Sequence, residues 1–397
     1  MEDPSGTVVF MGAGASRAFG LPLTDQILPR IVERLRQNGR GDKQLFPGRD
    51  SARLNDDLRK AFLVLYPGLD LNLADDQGLP NITNVLSFLD HLILYDQPAA
   101  LRYGKKELIH CRRLLERAIM EVLIDTDLSK IKEHLEDVQD YTPEILEIPD
   151  MTPRGMDDSQ RKVLDHFVAW MFRKRDENGD PLSIITTNYD VAVETPIFQK
   201  IGLAQLETTI DFGFDWRNPF TEVLVPRPQH PEIGIYKLHG SFNWLRCNLC
   251  GQLYLNPREV IAYLSFNERQ AWANTCTCGE WPLRHLIVAP SMVRDVRDPH
   301  LLNVWRSATE ALRIAREWYI IGYSLPAEDL AIRSMLLRAF SARGLEDGSR
   351  PLRERAGKAG PHLTVVQKGS SARPAYAAMF SKFDFIDGGL EQLVGLA

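Results

Sequence analysis

The feature that most limits how this chain can fold is a recurrence. Short apolar, β-branched runs each break off at a small or polar residue, with helical stretches between them. Thr7 to Met11 runs into Gly12-Ala13-Gly14-Ala15-Ser16, and Ser183 to Thr187 into Asn188-Tyr189-Asp190. Ile233 to Leu238 ends at His239-Gly240, Leu286 to Ala289 at Pro290-Ser291, and Trp318 to Ile321 at Gly322-Tyr323-Ser324, while Leu363 to Val366 comes last. Near-continuous apolar strands separated by helices predict an α/β fold, a parallel sheet with helices on both faces. Ligands of such sheets sit outside the carboxyl ends of the strands. Gly12, Asn188, His239, Pro290 and Gly322 are therefore expected to border one site.

At Gly12 the strand turns sharply into a helix. The first Gly permits the turn, the second lets backbone approach a pyrophosphate, and the free N–H groups at the helix start favour an anion. The dinucleotide fingerprint wants a third small residue where Arg17 stands, and no strand ending in Asp or Glu follows at the ribose-binding distance. On these residues alone a phosphate cradle and a bare tight turn both remain open. The convergence of strand ends favours the cradle.

Thr24 is placed to cap a helix carrying Ile27, Leu28, Ile31, Val32 and Leu35. From about 50 to 180 the chain reads as helical. Stripes run through Leu54, Leu58, Phe62 and Tyr66, then Val85, Leu86, Leu89 and Leu92, then Leu108, Leu115, Ile119 and Val122, then Val163, Phe167 and Met171. Thr83 is a candidate cap for the second of these. The predicted organisation is a first sheet segment (1–49), a helical insertion (50–180), a sheet segment with the polar motifs (181–246), a cysteine module (247–282) and a final sheet segment (283–397).

Four of the five cysteines fall in two close pairs, Cys247-x-x-Cys250 and Cys276-x-Cys278. Four thiolates suit one tetrahedral Zn²⁺ in a closed, structural site of the zinc-ribbon kind. A disulfide or four unliganded thiols are the alternatives, and Cys111 reads as a small buried hydrophobe. A net charge of −6 excludes a global basic field of the kind that binds nucleic acid. No apolar run reaches the length of a membrane span, and Met1-Glu2-Asp3-Pro4 does not start a signal peptide, so a cytoplasmic location is expected.

Taken together these motifs resemble the sirtuin superfamily. Gly12-Ala13-Gly14-Ala15-Ser16 looks like its N-terminal signature, Thr187-Asn188-Tyr189-Asp190 stands where sirtuins carry Gln-Asn-Ile-Asp, and Leu238-His239-Gly240 resembles the histidine motif. The cysteine pairs follow the histidine, as in that family. The resemblance implies a Rossmann-like domain with a small zinc module, binding NAD⁺. Protein-deacylating sirtuins, however, follow the glycine motif with Gly-Ile-Pro, an aromatic residue and an Arg, where this chain has Gly20-Leu21-Pro22-Leu23-Thr24-Asp25. They also carry a late Gly-Thr-Ser, where Ile321 to Pro326, with Glu328 and Asp329, stands here. These departures and the helical insertion look like the divergent bacterial sirtuin-like proteins of antiphage defence. Such proteins hydrolyse NAD⁺, form oligomers, and in several cases act with a HerA-type ATPase or an Argonaute.

Under that resemblance His239 is the expected general base, since an imidazole titrates near working pH. Asn188 is expected to orient water or a ribose hydroxyl. Asp190 is expected either to contact the nicotinamide carboxamide or to cap the following helix. Gly12, Ala13, Gly14 and Ser16, with Arg17 adding charge, would face the phosphates. Ser291, Gly322, Ser324 and Gln367 would line the rest of the nucleotide site. NAD⁺ cleavage, lysine deacylation and non-catalytic binding of NAD⁺ or ADP-ribose are the functions in competition.

Overall fold

The computed structural model describes residues 5–36, 45–46, 51–69, 71, 78–99, 103–127, 156–177, 179–219, 221–255, 275–281, 283–288, 298–345 and 360–396. The strands are β1 (Thr7–Met11), β2 (Leu182–Thr186), β3 (Ile210–Asp211), β4 (Trp216–Arg217), β5 (Leu224–Val225), β6 (Ile233–Lys237), β7 (Gly240–Arg246), β8 (Leu253–Leu255), β9 (Arg284–Ile287), β10 (Glu317–Ile321), β11 (His362–Val366) and β12 (Asp384–Ile386). The helices are α1 (Ala13–Arg17), α2 (Thr24–Arg36), α3 (Ser51–Leu65), α4 (Ile82–Leu94), α5 (Lys105–Asp127), α6 (Asp158–Asp176), α7 (Glu194–Ile201), α8 (Leu203–Thr209), α9 (Pro299–Ile314), α10 (Leu330–Leu345), α11 (Arg373–Met379) and α12 (Gly389–Leu393).

Seven strands form the expected parallel sheet, in the order β12-β11-β10-β1-β2-β6-β3. β1 sits centrally, with Val9 level with Ile184 of β2 on one side and Tyr319 of β10 on the other. All five β1 residues are buried. Because alternate side chains of a strand point to opposite faces, both faces of the sheet must be covered there. α6, α9 and α12 supply part of that cover. α6 starts on a reciprocal capping box, in which Asp157 accepts from the Gln160 N–H and Gln160 accepts from the Asp157 N–H. It presents Phe167, Trp170 and Met171 to the sheet core, with Trp170 edge-on to Tyr319.

α2 to α5 bury a second cluster, built on Leu28, Ile31, Leu86, Leu89, Leu115 and Ile119. Tyr189, Val191 and Phe242, which flank the polar motifs of the sheet, belong to the same cluster. The helices therefore pack directly on the loop that follows β2. The cap of α4 is Asn81, whose side chain accepts from the Thr83 N–H at 2.8 Å. Thr83 itself, the expected cap, lies two residues inside.

A smaller five-stranded sheet, β5-β4-β8-β7-β9, carries the cysteines. Here one expectation is corrected. The run beginning at Leu286 was expected in the parallel sheet, but β9 pairs antiparallel with β7 in the small sheet. A short apolar run reports burial, not which neighbour it will pair with. Among the described residues, no helix is long and apolar enough to cross a membrane.

Candidate functional site

The turn after β1 is built by close backbone contact. Gly12 and Gly14 lie against Gly322, the residue that ends β10. The Gly14 N–H donates to the Gly322 carbonyl at 2.9 Å, and the Gly12 N–H to that of Ile321 at 3.0 Å. A Cβ on Gly12 would meet the Gly322 oxygen at 2.7 Å, and one on Gly322, whose φ is +62°, would meet the Ala15 nitrogen at 2.0 Å. The glycines let two strand-end turns interlock. The Gly14 N–H, expected to face a phosphate, is spent on that contact.

Above these turns lies a cleft of about 850 Å³, within the range of about 300–1,000 Å³ usual for small-ligand sites. Ala13, Gly14, Ser16 and Arg17 line it from the β1 side, Asn188, Asp190 and His239 from the β2 and β6 ends, and Gly322 and Ser324 from the β10 end. Gly12 lies buried behind them. Gln367 also lines the cleft, but its side-chain amide donates to the Tyr323 carbonyl at 2.7 Å. Ser291 lies outside the described residues. Asn81, Thr83 and Leu123, from α4, its cap and α5, complete part of the wall.

The polar groups form one connected chain. The Asn188 side-chain amide donates to the Gly12 carbonyl at 2.9 Å and to Ser16 Oγ at 2.7 Å. Ser16 Oγ in turn donates to Asp190 Oδ2 at 2.7 Å. Both N–H bonds of Asn188 are thereby committed, which fixes the amide orientation and leaves Oδ1 as the atom offered to a ligand. Asp190 Oδ1 also accepts from the Ala192 N–H at 3.3 Å, an Asx turn that shapes the loop.

His239 occupies the point where the chain passes from the parallel sheet into the small one. Gly240 follows with φ +83°, and a Cβ there would meet the Leu286 carbonyl oxygen at 1.9 Å, so only glycine allows β9 this close. The His239 ring is buried, with Nδ1 at 3.1 Å from the Thr187 carbonyl. A carbonyl only accepts, so Nδ1 donates, and in the neutral form of the ring the basic nitrogen is Nε2. That is the tautomer a general base needs. Tyr189 packs between His239 and Phe242, with ring centroids 6.3 Å from each, and its hydroxyl donates to the Val288 carbonyl at 2.5 Å.

Sequence reasoning passed over Lys237, the last residue of β6. Its side chain is fully buried and pairs with Glu194. A lysine at the end of an otherwise apolar strand was the available signal, because a buried ammonium requires partners. Tyr323 was also missed as an anchor. Its hydroxyl donates to Asp329 Oδ2 at 2.6 Å, and its carbonyl accepts from Tyr376 at 2.6 Å, which holds the β10 end.

The four cysteines of the two pairs converge, their Sγ atoms all within 4.8 Å of one another. The Cys247–Cys278 and Cys250–Cys276 separations are 3.6 and 3.5 Å. A disulfide needs about 2.05 Å, whereas tetrahedral zinc with Zn–S of about 2.3 Å spaces its sulfurs by about 3.8 Å. The residues present fit zinc, and Cys247, Cys250, Cys276 and Cys278 would hold it with no open position for chemistry. Turn bonds such as Gly251 N–H to the Cys247 carbonyl and Gly279 N–H to the Cys276 carbonyl shape the two knuckles. Burial opposes ionisation of Cys276, but hydrogen bonds from backbone, Tyr254 and neighbouring thiols outweigh it and bring the thiol down to about 6. Cys111 is buried, and burial pushes its thiol up to about 11.

No family model matches this chain, and no curated protein matches it. Among solved structures, the chain is similar to a Sir2 enzyme from work on mechanism and regulation, at 14% identity and TM-score 0.38, covering 100% of this chain and 96% of that one. It is similar to a sirtuin from work on substrate affinity, at 13% identity and TM-score 0.38, covering 98% and 91%. It is also similar to a Sir2 protein with a peptide and NAD⁺, at 14% identity and TM-score 0.36, covering 98% and 90%. These likenesses are distant, and the α/β architecture stands on the strand order and register described above.

Proposed function

We propose that this chain is an NAD⁺ glycohydrolase, cleaving NAD⁺ to nicotinamide and ADP-ribose. The observation that carries the reading is the meeting, in one cleft, of a glycine turn, an acceptor-oriented Asn188 and a His239 whose Nδ1 is held by the Thr187 carbonyl. The bond from the nicotinamide nitrogen to the ribose anomeric carbon breaks, and nicotinamide leaves with the electron pair. A water oxygen bonds to that carbon, and its proton passes to His239 Nε2. Nicotinamide is a good leaving group, so positioning and control of water dominate the demand on the protein. Asn188 Oδ1 accepts from the attacking water or a ribose hydroxyl. Asp190 orders the Ser16 hydroxyl and contacts the carboxamide, and the Gly12-to-Ser16 turn with Arg17 receives the diphosphate.

The motif resemblance further supports a role as effector of a bacterial antiphage response, acting as a homo-oligomer with a HerA-type ATPase or Argonaute partner. The test is incubation of the purified chain, alone and with such a partner, in NAD⁺ without peptide. Release of nicotinamide and ADP-ribose in equal amounts is the expected result. Nicotinamide release only in proportion to lysine deacylation would replace this reading with the deacylase. Binding of NAD⁺ without turnover in the assembled complex would replace it with a scaffold.

A further inference from the structure

Lys237 closes β6, two residues before His239, and its side chain is fully buried. A lysine ammonium withdrawn from water is costly unless it is both paired and hydrogen-bonded. Its Nζ donates to the Tyr189 carbonyl at 3.3 Å, to the Asp190 carbonyl and to Glu194 Oε1. Two of these acceptors are main-chain oxygens of the loop that carries Asn188 and Asp190. Ser241 Oγ donates to the same Tyr189 carbonyl at 3.3 Å, and the Phe242 N–H does so at 3.1 Å. Glu194, at the start of α7, balances the charge; burial pushes its carboxyl up and Lys237 draws it back.

The loop from Thr187 to Asp190 is thus gripped twice from one strand end. His239 holds the Thr187 carbonyl, and Lys237 holds those of Tyr189 and Asp190. Lys237 does not line the cleft, so any effect on chemistry passes through the backbone it holds. An ammonium suits this task because one atom with three donors can gather two successive carbonyls and a carboxylate. A buried ion pair seldom adds stability over an apolar pair of equal volume. Positional definition is what it supplies here.

We propose that Lys237, assisted by Ser241, is the positioning residue of the site, fixing Asn188 and Asp190 relative to His239; this rests on the NAD⁺ cleavage proposed above. The test compares the wild-type chain with the double variant Lys237→Met/Glu194→Gln, which removes the whole charge pair at similar volume. Steady-state NAD⁺ cleavage and amide hydrogen exchange are measured on the full chain. Because a misplacement of about 1 Å can cost about 100-fold, the double variant is expected to lose about 100-fold in kcat with KM within about threefold. Amides of residues 187–192 are expected to exchange at least about tenfold faster in the double variant, with those of β1 and β10 unchanged.

An unchanged kcat, or a loss confined to KM, in the double variant would overturn the proposal. If the double variant does not fold, Ser241→Ala takes its place, with a kcat loss of about fivefold at constant KM expected and an unchanged kcat overturning it. Should the wild-type chain turn over no NAD⁺, the functional reading fails separately. The exchange pattern then decides the positioning role, and acceleration spread evenly over 187–192, β1 and β10 contradicts it.

Discussion

β1 buries every one of its residues between strands on either side and helices above and below. The cysteine module gathers a cluster of its own from Leu245, Cys247, Tyr254, Cys276 and Leu283 among the described residues. The two regions sit in one chain but store their stability differently. The sheet draws on apolar burial and close packing. Among the described residues the module's own cluster is small, and its four converging thiols would add to it by holding zinc. The chemistry proposed above belongs to the first region, where His239 and Asn188 follow the ends of β6 and β2. A stress aimed at one region should therefore leave the other standing.

The largest expected effect is on the module. Structural zinc contributes about 10–16 kcal/mol of apparent binding energy in small peptides. Stripping the metal with a chelator, or Cys247→Ser, is expected to open residues 247–288 to limited proteolysis while β1 and β10 keep their hydrogen-exchange protection. Elemental analysis should find one zinc per chain before treatment. A module that stays protected after chelation would show that it is held by something other than metal.

Next in size is damage to the sheet. Phe10 is fully buried and packs edge-on to Tyr323 at 5.2 Å. Phe10→Ala is expected to cost about 3–5 kcal/mol, read as a lower denaturant midpoint at unchanged zinc content. Loss of zinc in that variant would mean that the two regions unfold together. Gly322→Ala follows, at about 1–3 kcal/mol for the strained backbone, with the added clash against Ala15 weakening nucleotide binding in calorimetry.

The smallest effect separates surface charge from both. Glu310 is held below its ordinary value of 4.5 by its hydrogen bond from Arg313. Its contribution is present above that value and fades as the pH falls through the lowered folded one. Both side chains are well exposed, so Arg313→Ala is expected to cost about 0.2–1 kcal/mol at neutral pH, with the difference from wild type vanishing in acid. A larger gap would place real stability in the exposed helix face.

Much of this was legible in the sequence. β1, β2, β6, β10 and β11 announce themselves as apolar runs, the first four broken by Gly, Asn or His, and four cysteines in two pairs announce a cluster. What stayed hidden depends on partners distant in sequence. Leu286 gives no sign that its strand pairs with β7. His239-Gly240 reads as the end of a strand, and nothing in the sequence shows that Gly240 also opens β7. β3 and β12 are too short, at two and three residues, to carry a periodicity. The Asn188–Ser16–Asp190 chain spans more than 170 residues of sequence, so that Asn188 offers Oδ1 and not its amide could be learned only from the folded site.

The most direct test is NAD⁺ cleavage by His239→Ala. General-base catalysis is worth about 10²–10⁴ in rate, so a loss in that range is predicted for the folded variant, with unchanged zinc content and NAD⁺ affinity. Cleavage at the wild-type rate by folded His239→Ala would contradict it.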